Sequence, residues 1–125
     1  MSRQLMDLVL PRLARKLSNE LQRYRSGGLD ESQFARCFEE LLQGQHTWLT
    51  RRGVSEVRAA LALHGAVLVL SKPGLKAEAA ESREPVELVE YRAIRDAAAD
   101  VASNYGISER RAASQLSRIV ARYSN

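Results

Sequence analysis

Ser108, Glu109, Arg110, Arg111, Ser114, Gln115, Arg118 and Arg122 crowd into a short stretch near the end of the sequence. A guanidinium presents its donors as a planar fork, which suits a phosphate or the acceptor edge of guanine. Glutamine carries a donor and an acceptor together, which suits adenine. The chemistry open to these residues is non-covalent recognition of nucleic acid.

Catalysis has little to stand on elsewhere. His46 and His64 are far apart in sequence, and neither forms a spaced ligand set with Cys37 or a carboxylate. No glycine-rich phosphate loop follows a strand, and there is no nucleophile elbow. Cys37 lies on an apolar helix face and reads as a small core residue. His64, inside the run "AALALHGAVLVL", reads as a hydrogen-bonded core histidine. Trp48 suits a core or interface anchor as well as a stacking platform. Glu39–Glu40 and Glu87/Glu90 read as solvated helix faces. No enzyme activity, metal or cofactor is expected.

Composition bounds the rest. The chain has 125 residues, 45% of them hydrophobic, which fits one globular domain with a real core. A single cysteine cannot form an internal disulfide, and no segment reads as a secretory signal, so a cytoplasmic location is expected. Ala59–Leu70 is too short to span a bilayer, so no membrane partner is expected. The net charge is +4. Basic groups gather in residues 1–27 and in the final twenty residues, with acidic stretches around Asp30–Glu40 and Glu78–Asp100. A solvated arginine-rich surface and a nucleic-acid surface both fit that distribution.

The elements that must position the polar cluster read as helices throughout. Leu5, Val9, Leu13, Leu17 and Leu21 mark a first helix from about Ser2 to Arg25. Pro11 either kinks it or starts its main part. Asp30 and Gln33 form a capping-box pattern for a second helix, which ends at Gly44 or runs on to Arg52. Ser55 caps a third, central helix over Glu56–Leu70; Ala66–Leu70 is the one stretch that also suits a strand. Residues 72–84 ("KPGLKAEAAESRE") read as a linker, either a flexible loop or a frayed helix. Pro85 suits the first position of a fourth helix, and a fifth starts near Ser108. The expectation is an all-α bundle of about five helices. Residues 1–71 form a helical core or oligomerisation region and residues 85–125 a helix-turn-helix-like region, unless the whole is one compact domain.

A helix-turn-helix needs a small residue where its helices cross, a positive-φ residue in the turn, and a capped second helix with an apolar inner stripe. In "AADVASNYGISERRAASQLSRIVARY", Ala98 and Ala102 are small, Gly106 follows, Ile107 plugs the corner and Ser108 is the cap. Ala112, Leu116 and Ile119 point inward. This stretch resembles the C-terminal helix-turn-helix of the factor for inversion stimulation (Fis). It is similar too to that of plasmid TrfB/KorA-type repressors, in the run from Ala102 through "GIS" to "SQLSRI". ANTAR RNA-binding domains carry a similar turn, but their aromatic RNA-contact pattern is absent. The resemblance covers about the last thirty residues; residues 1–85 carry none. Two departures stand out. Gln115 occupies a position that one helix-turn-helix register buries, and alanine stands at 112 where valine is commoner.

What the resemblance implies is a regulator, or a nucleoid- or plasmid-associated factor, that reads duplex DNA through residues 109–123, with RNA second. The first helix, with Phe34, Phe38 and Trp48, would be the dimer surface. An ordinary helical hairpin in a protein-interaction or assembly module, with a partner on the N-terminal helices, satisfies the same residues.

Overall fold

Each apolar stripe becomes a helix because that is the arrangement that puts its residues on one side of the chain. The computed structural model describes residues 3–123; the expected start at Ser2 lies outside them. Six helices follow one another: α1 (Arg3–Arg25), α2 (Glu31–Arg51), α3 (Glu56–Leu70), α4 (Lys72–Ser82), α5 (Val86–Tyr105) and α6 (Glu109–Tyr123). The all-helical bundle holds, and there is no strand among the described residues. The 66–70 stretch is the last part of α3.

The count is six rather than five because most of residues 72–84, read above as a flexible loop or a frayed helix, is helical. Lys72–Ser82 form α4, which begins directly after Ser71 with Pro73 in its first turn, where a missing N–H costs nothing. Ala79 is its buried anchor, and Arg83 closes it at φ 58°. One buried alanine leaves no stripe to read in a sequence. Lys72 ties α4 to Glu90 of α5 at 3.6 Å, and Arg92 reaches Glu84 at 2.5 Å.

The remaining boundaries follow local chemistry. α1 runs unbroken through Pro11. The Asp30 capping box is fully formed: Asp30 accepts from the Gln33 N–H at 2.8 Å, and Gln33 accepts from the Asp30 N–H at 2.9 Å. α2 then passes through Gly44, where an exposed helical glycine costs only about 1 kcal/mol. Ser55 caps α3, accepting from the Arg58 N–H at 3.3 Å. Pro85 is the N-cap of α5 rather than its first helical residue.

α3 is central. One side, with Ala59, Ala62 and Ala66, packs against Met6, Val9 and Leu13 of α1 and Leu49 of α2. Its other side, with Ala60, Leu61 and Leu68, meets Val101 of α5 and Leu116 of α6. Gly65 lets α6 approach closely. A Cβ there would lie 2.8 Å from both Cγ2 and Cδ1 of Ile119, so the glycine is what admits that side chain.

Candidate nucleic-acid interface

α6 is built to hold one face inward and show the other. Gly106 ends α5 in the left-handed region at φ 69°, and its N–H donates to the Ala102 carbonyl at 3.0 Å. Ser108 then starts α6: its hydroxyl oxygen accepts from the Arg111 N–H at 3.1 Å, and its carbonyl accepts from the Ala112 N–H at 3.0 Å. Ala112, Leu116, Ile119 and Val120 are buried against α3 and α5. Ile107 packs into the same cluster at the corner.

The opposite face carries the polar residues singled out from sequence. Glu109, Arg110, Arg111, Ser114, Arg118 and Arg122 are exposed, as is Ser108. Arg111, Gln115, Arg118 and Arg122 recur at helical spacing and line one side, about 16 Å from end to end at 1.5 Å per residue. Arg110 and Ser114 form a second row beside them. Gln115 is half-buried at the edge of that face, so the core takes Leu116 and no apolar site is occupied by an amide. Alanine at 112 fits because it is completely buried between helices that approach closely.

Electrostatically this face is open. Four ion pairs occur among the described residues, and none involves Arg110, Arg111, Arg118 or Arg122. Glu109 is the one carboxylate in α6, at the helix start where the backbone dipole favours it. Ser108 differs from its neighbours, since its oxygen is already committed to the cap. It positions the helix more than it contacts anything.

The α5–α6 turn is joined to the α2–α3 connection. Nε2 of His46 lies 3.0 Å from the Glu56 carbonyl, so it donates there, and 3.2 Å from the Tyr105 hydroxyl. The two rings are tilted against each other with centroids 5.6 Å apart. Burial, with the Glu56 carboxylate adding to it, raises the Tyr105 phenol. His64 is half-buried in a neighbouring pocket and makes no side-chain hydrogen bond among the described residues, unlike the hydrogen-bonded core histidine expected. Desolvation lowers its pKa, opposed by Asp100.

Two features escape sequence reasoning. The first surrounds Trp48: the Arg12 guanidinium lies 3.9 Å from the centre of its ring and that of Arg52 4.2 Å. Arg12 also donates through Nε to the buried Gln45 at 2.6 Å. Only the antiparallel pairing of α1 with α2 brings Arg12 to Trp48, and no local pattern announces it. The second is a groove of about 790 Å³ between α1, α2 and the α3–α4 junction, lined by Leu17, Leu21, Phe34, Phe38, Val67 and Leu70. Beside it the rings of Tyr24 and Phe34, and of Phe34 and Phe38, are tilted against each other with centroids 5.0 and 6.5 Å apart. Cys37 is half-buried in α2, not fully in the core.

No three His, Cys, Asp or Glu side chains gather to hold a metal ion among the described residues, and none of the helices is long and apolar enough to cross a membrane. Comparison with protein-family models, with curated proteins and with solved structures found no match.

Proposed function

We propose that this protein is a small, non-catalytic DNA-binding factor that reads duplex DNA through α6, with α5, Gly106 and α6 working as a helix-turn-helix. The observation that carries this reading is the outward face of α6: four arginines that form no ion pair among the described residues, beside Gln115 and Ser114, on a helix clamped from behind. A helix of this diameter fits the major groove, where arginine can fork onto guanine and glutamine onto adenine. Arginines beside the groove neutralise phosphates, which supplies most of the affinity and makes it salt-dependent. One fifteen-residue helix binds weakly alone. A second copy related by two-fold symmetry would place two α6 helices about one DNA turn apart.

The direct test is fluorescence anisotropy with labelled duplex at low and physiological salt, using Arg110→Gln, Arg111→Gln and Arg118→Gln. Loss of a base contact should cost about 1–3 kcal/mol and relax preference at one position. Loss of a phosphate contact should weaken binding to all sequences alike. Structured RNA in place of the duplex separates the two nucleic acids. Binding that survives all three substitutions would overturn the reading.

The groove favours a second reading, a protein-interaction module. Leu21 and Tyr24 remain more than a third exposed beside it, an apolar surface the chain itself leaves uncovered. In the DNA-binding reading the same surface joins the two copies. Light scattering separates the cases: a dimer accompanies DNA binding in the first, and a monomer without DNA affinity belongs to the second.

A further inference from the structure

The arginines around Trp48 have no role in the face just described. Arg12 is half-buried and fixed twice, by its hydrogen bond to Gln45 and by its position on the indole. Arg52 is exposed and lies on the same ring, and exposed Arg51 lines the same shallow depression with Gly44 and Thr47. None of the three makes an ion pair among the described residues. The shared ring keeps the Arg12 and Arg52 charges within about 8 Å of each other, where like charges repel. A cation–π contact offsets part of that. What remains is a concentration of positive charge, ordered in advance and without an internal counterion. Because Nε of Arg12 is occupied, its terminal nitrogens are the ones left for a ligand.

We infer that Arg12 and Arg52 on the Trp48 ring, with Arg51 beside them, form a second contact for the phosphodiester backbone of nucleic acid. The inference deepens the DNA-binding reading and rests on it for the identity of the polyanion. Position supports that choice. Arg51 and Arg52 sit where α2 passes into α3, and the His46 contacts with Tyr105 and Glu56 bring this connection to the same end of the bundle as the start of α6. A strand of phosphates offers repeated acceptors to both clusters. An anionic membrane fits less well: the Trp48 ring that would enter the lipid interface is already covered by guanidinium groups.

The test measures the salt dependence of duplex binding for the intact protein, for Arg51→Gln with Arg52→Gln, for Arg12→Gln and for Trp48→Leu. Each lost phosphate contact flattens the slope of log K against log salt by about 0.9. The double variant should therefore flatten it by nearly two units, for every duplex sequence alike. Arg12→Gln should flatten it by about one. Trp48→Leu should weaken binding too, by freeing Arg12 and Arg52. Arg51 and Arg52 are exposed, so the double variant tests the idea even if loss of Arg12 or Trp48 disturbs the fold. An unchanged slope in the double variant overturns the inference while leaving α6 as the reader, provided the α6 variants lose binding. A flattened slope in the double variant, with α6 variants binding normally, keeps the inference and removes the α6 reading. Absence of duplex binding at low salt removes both. Tighter binding to phosphatidylserine vesicles or polyglutamate than to duplex, lost in the double variant, also overturns it.

Discussion

α6 and the second half of α1 are both amphipathic helices, yet the molecule treats their apolar faces differently. On α6, Ala112, Leu116 and Ile119 are almost completely buried, and the helix is held by α3 and α5 together. On α1, Met6, Val9 and Leu13 are equally deep, but Leu17 is half-buried and Leu21 and Tyr24 are exposed beside an open groove. A helix whose apolar face is fully covered can offer only its polar face to a partner. One whose stripe outruns its neighbours still has apolar surface to offer. The inner face of α6 is thus finished behind a charged outer one, and that of the second half of α1 is unfinished.

The sharpest way to test that contrast is to shorten a leucine in each region. Leu116→Ala removes a completely buried side chain between α3 and α5 and should cost about 2–5 kcal/mol. Leu21→Ser, on the groove, should change monomer stability by no more than about 0.5 kcal/mol. It should instead reduce self-association if the groove is the dimer surface. Urea unfolding measures the first quantity and light scattering the second. Comparable destabilisation by both substitutions would erase the distinction between the two regions.

Sequence alone reads these two regions unequally, and the reasons are physical. The inner stripe of α6 is legible because the turn glycine, the cap and the apolar residues all fall within fifteen positions, Gly106 to Val120. The polar face follows by subtraction. α4 is illegible because its order comes from Ala79 and from the Lys72–Glu90 ion pair with α5, which are long-range facts. The passage of α2 through Gly44 hides for a related reason. Tertiary packing along α2 outweighs a local preference worth about 1 kcal/mol. The cluster on Trp48 joins residues from α1, α2 and the turn after it, so no spacing rule reveals it.

Gly106 gives an intermediate effect. A Cβ at this position would meet nothing within 4 Å, so any cost of substitution comes from its φ of 69° rather than from a clash. Gly106→Val should therefore lose about 1–3 kcal/mol, because a β-branched residue tolerates the left-handed region poorly. Gly106→Asn should recover most of that, since asparagine visits the region readily. If DNA binding depends on how this turn sets α6, the valine variant should also lose affinity under conditions where it remains folded. Equal stability of the valine and asparagine variants would mean that the turn is not constrained in this way.

The smallest effect belongs to the seam between the two regions. His64 projects from α3 into a pocket bounded by Leu42 and His46 of α2 and by Tyr105 of α5. Burial holds its pKa below the ordinary value of 6.5, and the Asp100 carboxylate opposes that shift without cancelling it. In the window below 6.5 the unfolded chain therefore binds a proton at this position more readily than the folded one. Stability rises with pH wherever the unfolded state carries more protons, so the contribution of neutral His64 is present above 6.5 and is lost as pH falls toward the folded pKa. Urea midpoints measured from pH 7.5 down to pH 5 should decline, and His64→Gln, which cannot titrate, should decline less steeply. His46 and Tyr105 face the same pocket, so the comparison is made with both left in place. An identical decline in the two proteins would show that the pH dependence arises elsewhere and that protonating this seam costs the fold nothing.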